Sequence, residues 1–189
     1  MNRVRMIANP LLGAVLGAAL LHARADEVAE VRALARSGQA AEAMMKLDQF
    51  IAIKPADPQL RFFKGVLLTE NNRAADAVAV FTKLTEEHPE LPEPYNNLAV
   101  LYAGLGQYDK ARNALEAAIR SNPGYATAHE NLGDVYARLA AQAYARALAL
   151  DPSNAALHPK LALVRTLVTP KTPDTRATIP ARPSKANSQ

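Results

Sequence analysis

His129-Glu130 begins the H-E-x-x-H pattern, in which two histidines one helical turn apart hold zinc while the glutamate serves as a base. The second histidine would fall at residue 133, which is Gly133, so the ligand pair is missing. His88, His129 and His158 are too scattered along the chain to make a local ligand set. Gly104-Leu105-Gly106 imitates the start of a phosphate-cradling loop, yet it follows a helical pattern rather than a strand. No serine stands in a G-x-S-x-G context, cysteine is absent, and the carboxylates spread over solvated helix faces rather than pairing. The expectation is a chain with no catalytic residues, no metal site and no cofactor, hence not an enzyme.

The two ends carry a different kind of information. "MNRVR" is a basic start, Ile7 to Leu21 is an apolar run, and Ala23-Arg24-Ala25 is an A-x-A site, so residues 1–25 read as a secretory signal peptide cut after Ala25. The run falls short of the roughly 20 residues of a membrane span, which disfavours the alternative of an uncleaved anchor. No other segment is apolar enough to cross a bilayer, so no stable membrane insertion is expected after cleavage, and the location expected is periplasmic or secreted. The formal charge of +4 and pI near 9.4 also belong to the ends. Arg3, Arg5 and Arg24 leave with the signal, and residues 169–189, proline-rich and expected to be disordered, hold Lys171, Arg176, Arg182 and Lys185 against Asp174. The body left between them is slightly acidic, which argues against a nucleic-acid partner. The basic tail either touches anionic envelope polymers or simply provides solubility.

Inside the body, Pro55, Pro89 and Pro123 recur at 34 residues, and Pro152 follows after 29. In residues 92–120, Tyr95, Leu98, Ala99, Tyr102 and Leu105, then Ala111, Ala114, Leu115, Ala118 and Ile119, recur at three and four, which describes two amphipathic helices. A pair this short cannot hide its apolar stripe alone, so neighbouring pairs must stack.

Residues 92–125 closely resemble the tetratricopeptide repeat, a helix-turn-helix unit of 34 residues. Tyr95 stands at that family's large first site, Leu98-Ala99 at its Leu-Gly/Ala pair, Tyr102 at its Tyr and Gly106 at its turn. Ala111, Leu115, Ala118 and Pro123 complete the order. Residues 58–91 fit less fully, through Gly65, Ala77, Phe81 and Pro89, and residues 24–57 less again, through Leu34, Gly38, Ala43, Leu47 and Pro55. The fourth unit, 126–154, starts on pattern with His129, Leu132, Gly133 and Tyr136 and ends on pattern with Ala140, Tyr144 and Ala147, but lacks five residues equivalent to Gly106–Lys110. Loss of the turn predicts one continuous helix of about 24 residues, with Gly133 at a packing site and Leu132, Tyr136, Leu139, Ala143, Ala147 and Leu150 in one stripe. A tight corner near Ala140-Ala141-Gln142 is the alternative. Residues 155–168 would form a capping helix, with Pro159 confined to its first turn.

The resemblance therefore implies an all-α, tetratricopeptide-like α-solenoid, a right-handed superhelix of about four helical hairpins plus a C-terminal capping helix, filling a domain at 26–168. It also implies a concave groove lined by the first helix of each hairpin. Its contributors would be Phe62, Val66, Thr69 and Glu70, then Asn96, Asn97, Val100 and Ala103, then Glu130, Asn131, Asp134, Ala137 and Arg138. Asn97 and Asn131 occupy equivalent sites, where family members binding extended peptides can use an amide to hold the peptide backbone; asparagine is also common there when nothing binds. Of Phe62-Phe63, either one ring is buried and the other faces the groove, or both are buried. The lysine and arginine set that clamps a C-terminal carboxylate in some relatives is absent from the third and fourth units. The function implied is a non-catalytic scaffold binding a protein or peptide segment, as exported relatives do in envelope assembly, division or cytochrome maturation. The alternative is a self-associating module, a homodimer formed through the long fourth-unit helix. Whichever holds, Ala111→Leu should overpack the third helix crossing and cost about 1–3 kcal/mol; an unchanged thermal midpoint would contradict this register.

Overall fold

Proline and one left-handed residue per hairpin punctuate the chain. The structure, a computed structural model, describes residues 27–168, and among these every regular element is a helix. Residues 27–36 form α1, followed by α2 (Ala40–Ile53), α3 (Pro58–Glu70), α4 (Ala74–Glu87), α5 (Pro92–Gly104), α6 (Tyr108–Ser121), α7 (Ala126–Leu150) and α8 (Leu157–Val168). The expected signal peptide and the expected disordered tail lie outside the described residues. Two units are distinguished, the first running to Tyr136 and the second starting at Ala137.

In the first unit the 34-residue period is written into the backbone. Gly38, Asn72 and Gly106 have φ of 82°, 58° and 72°, conformations open to glycine and tolerated by asparagine. After each, one amide reaches back five residues: Gln39 N to Leu34 O (3.0 Å), Arg73 N to Leu68 O (2.8 Å) and Gln107 N to Tyr102 O (2.8 Å). This Schellman closure satisfies carbonyls at the helix end and turns the chain back. Three hairpins follow: α1 with α2, α3 with α4, and α5 with α6. The linkers between hairpins are equally periodic, with Lys54, His88 and Asn122 donating to Phe50, Leu84 and Ala118, and Asp57, Leu91 and Tyr125 donating to Lys54, His88 and Asn122. Pro58 and Pro92 open α3 and α5 where no N–H partner is needed, and Asp57 caps α3 by accepting from Gln59 N (2.9 Å) and Leu60 N (3.4 Å).

Side chains repeat with the backbone. Ala43, Ala77 and Ala111 are fully buried at the hairpin crossings, and Leu47, Phe81 and Leu115 are fully buried one turn later. One core cluster joins the first hairpin to α3 through Val31, Leu47, Leu60, Phe63 and Leu67, and a second joins α3 and α4 to α5 through Leu68, Phe81, Leu84, Leu98 and Leu101. Met44 and Val66 pack against both, so the core is continuous through the stack. Surface ion pairs accompany it: Lys64 with Asp48 at 2.7 Å, and Arg61 with Glu87. The Arg61 hydrogen bond holds the Glu87 carboxyl below the usual glutamate value. That pair's contribution is therefore present above the ordinary carboxylate range and is lost as pH falls through the lowered value.

The fourth unit makes no hairpin. The residues that would correspond to Gly106–Lys110, left-handed glycine included, are absent, and α7 runs unbroken for 25 residues, about 37 Å. Beyond it the linker geometry returns: Asp151 N donates to Ala147 O (2.8 Å) and Asn154 N to Asp151 O (3.3 Å). These bonds match those of the earlier linkers with five residues removed, so residues 140–150 are a second helix fused to its first. One expectation fails as a result. Gly133 lies at no packing site, since a Cβ there would meet nothing within 4 Å; with the turn missing, no hairpin partner packs across it. Along the apolar stripe of α7, Leu132, Leu139 and Ala147 are half-buried, whereas Tyr136 is 49% and Leu150 80% exposed, and Ala128 and Val135 are the buried positions of the helix. In the second unit, α8 buries Leu161 and half-buries Leu157, Val164 and Val168, leaving Leu167 outside that inner face.

Gly65 shows how tight the second crossing is, because a Cβ there would lie 2.5 Å from Phe81 Cζ. Phe81 is itself fully buried and cannot swing away. Gly65→Ala should thus destabilise by about 1–3 kcal/mol in urea unfolding, and a midpoint equal to that of the parent would refute the crossing geometry.

Candidate functional site

The first helices of the three hairpins, α1, α3 and α5, line a cavity of about 940 Å³. Its floor is apolar: Val28 from α1, Phe62, Phe63 and Val66 from α3, and Leu91 with Pro94 from the entry to α5. Its lining also carries charges of both signs. Arg32 and Arg36, one helical turn apart on α1, form one side, whereas Glu70 at the end of α3 and Glu93 at the start of α5 contribute the acidic groups. Both arginines are exposed, and neither forms an ion pair among the described residues. The Arg32 guanidinium sits 5.4 Å from the centroid of the Phe63 ring, a cation–π contact that steadies its stem while leaving its N–H groups available. The Phe62 ring is tilted 59° to that of Phe81, with centroids 5.5 Å apart. Both aromatic alternatives are therefore partly realised: Phe63 is buried, and Phe62, half-buried, shows one side to the cavity and the other to the core. Near the Glu93 end, burial and then the Glu93 charge raise the Tyr125 phenol above its usual pKa.

Of the residues expected to line a groove, Phe62, Val66 and Glu70 meet in this cavity. Asn96 does not line it: it is buried to 7% exposure, and its Oδ1 accepts from Asn131 Nδ2 at 2.8 Å. Asn97 donates to Glu93 O in its own helix, 2.9 Å away. The equivalence expected of Asn97 and Asn131 is thus broken, because the latter ties α7 to α5 while the former serves its own backbone. Val100, Glu130 and Asp134 are exposed but lie outside the cavity. Thr69 Oγ1 donates to Gly65 O at 2.9 Å. Ala103 and Ala137 are half-buried. Arg138 belongs to the second unit, where its Nη2 donates to Val168 O at 3.4 Å. His129 Nε2 lies 3.0 Å from Pro123 O, in contact with the preceding loop. No cluster of metal-ligating groups occurs among the described residues.

Sequence reasoning missed the α1 wall. The signal was present, since Val28, Arg32 and Arg36 stand one period before Phe62, Val66 and Glu70. Residues 24–57 depart from the family's packing sites while keeping these outward-facing positions in register.

Two family models, each described as tetratricopeptide repeat, match residues 28–92 and 68–132. A chloroplastic tetratricopeptide repeat domain-containing protein of Arabidopsis thaliana, PYG7, is 37% identical over 76 residues, which are 38% of this chain and 25% of that protein. A second from the same plant, the TPR repeat-containing thioredoxin TTL4, is 31% identical over 75 residues, 40% of this chain and 11% of that one. The chain thus spans a quarter or less of the length of these relatives. Among solved structures, MamA superposes with a TM-score of 0.54 at 20% identity, covering 72% of this chain and 82% of its own. The Sgt2 TPR domain from Aspergillus fumigatus gives 0.56 at 18% identity, covering 61% and 79%. At these identities the likeness is one of fold.

The Asn96–Asn131 bond can be isolated. Asn131→Ala leaves a buried carboxamide without its donor and should cost about 1–3 kcal/mol, whereas Asn97→Ala should stay within about 0.5 kcal/mol. Equal losses in urea unfolding would show that the two positions are equivalent after all.

Proposed function

The chain belongs to the tetratricopeptide repeat family, and from that premise we propose that it is a non-catalytic scaffold, exported to the periplasm or secreted, that seats a protein or peptide segment between α1, α3 and α5. The observation that carries this reading is the cavity itself, whose lining combines apolar side chains with two arginines from α1 and two glutamates from α3 and α5. Burial of an apolar anchor supplies the gain in affinity. Lining charges of both signs favour a segment whose own charges complement them. Export is supported by the basic start, apolar run and A-x-A site of residues 1–25, and an envelope role follows from that location.

The amides refine what the cavity reads. With Asn96 and Asn131 bonded to each other and Asn97 to its own helix, little remains at those sites to hold a peptide backbone. Recognition then falls to side chains: an apolar group over Phe62 and Val66, an acidic group toward Arg32 and Arg36, and a basic one toward Glu70 and Glu93.

A partner captured from envelope extract by the chain from Asp26 onward supplies the segment for a direct test by fluorescence anisotropy. Arg36→Glu should weaken the peptide about tenfold, equivalent to about 1.4 kcal/mol, with the melting temperature unchanged, and Phe62→Ala should weaken it further while also lowering stability. Parent-like affinity in both variants would eliminate this cavity as the binding site.

A further inference from the structure

The second unit carries a surface that the peptide-binding reading does not use. On α8 the inner face is Leu157, Leu161, Val164 and Val168. Leu163 and Leu167 lie outside that face, each 65% exposed, and Lys160 precedes them at the same helical spacing. Neither leucine is buried. Leu150, at the end of α7, adds a third large apolar side chain at 80% exposure.

The second unit is mostly of one sign in its sequence. Residues 137–168 contain Arg138, Arg146, Lys160 and Arg165 but one acid, Asp151. That carboxylate is occupied within its own turn, accepting from Ser153 N (3.2 Å) and Ser153 Oγ (2.7 Å). The chain then continues into residues 169–189, which add four cations against one acid. The first unit has the reverse balance, with fifteen acids and eleven bases over residues 27–136.

We propose that α8 is a docking ridge for the surface of an anionic bilayer, with Leu163 and Leu167 entering the headgroup boundary and Lys160 remaining among the lipid phosphates. A basic helix with protruding leucines suits that interface, and anionic lipid attracts each nearby cation. A ridge requires a matching cleft in a protein partner, whereas a fluid headgroup layer needs none. Pairing with a second copy would set this cationic surface against itself. No described helix is long and apolar enough to cross a membrane, so α8 would lie on the surface.

The test is co-sedimentation of the chain from Asp26 to Gln189, which keeps every described residue, with vesicles of phosphatidylglycerol or of phosphatidylcholine. Binding to phosphatidylglycerol should exceed binding to phosphatidylcholine about tenfold or more and weaken with added salt. Leu163→Ser/Leu167→Ser should lower it about tenfold with the circular dichroism melt unchanged, since neither leucine is buried. Equal binding to both lipids, or unchanged binding of the double variant, would overturn the proposal. So would a dimer, seen by light scattering, that the double variant dissolves, because the ridge would then belong to a second copy. Peptide affinity at the α1–α3–α5 cavity should not respond to the leucine changes, so the two readings fail separately.

Discussion

A helix of about fourteen residues with one apolar stripe has little stability on its own, and everything in this structure follows from the need to turn such a helix back onto another within a few residues. The turn requires one position of positive φ, supplied at Gly38, Asn72 and Gly106. Once the chain is reversed there, the fully buried alanines bring the two axes close, and the hairpin exposes a new apolar edge that the next hairpin covers. Where the left-handed residue is missing, reversal stops and α7 runs on.

That dependence explains what could be read in advance. Proline spacing, the alanines at 43, 77 and 111 and the turn glycines each answer to a local constraint, so the residue type reports the geometry directly. The fused fourth unit was legible for the same reason, as a count of five missing residues. Burial along α7 was not, because a stripe of Leu132, Tyr136 and Leu139 describes only a side that seeks cover and says nothing about whether cover exists. Gly133 misled for a related reason: a small residue at a packing site means close approach only when something approaches.

The cavity was harder to read than the fold. Phe62 and Val66 could be placed from the repeat register, but Asn96 could not, since whether an amide faces solvent or a neighbour's amide depends on contact between hairpins. Arg32 and Arg36 were obscured because the first unit diverges at its packing residues while keeping its outward positions in register. Sites on a stacked fold are assembled across units, so a weak match in one unit hides part of a shared surface.

The linkers at Lys54–Asp57, His88–Leu91 and Asn122–Tyr125 close with the same pair of backbone bonds. Any whole copy of 34 residues spliced at one of these joints meets ends already shaped for it, so a gene encoding such a chain can lengthen by unequal recombination without redesigning a junction. The fused helix removes that freedom at its own position, since a copy inherited from there would bring no bend with it. Growth of the array is thereby open on the α1 to α6 side and blocked at α7.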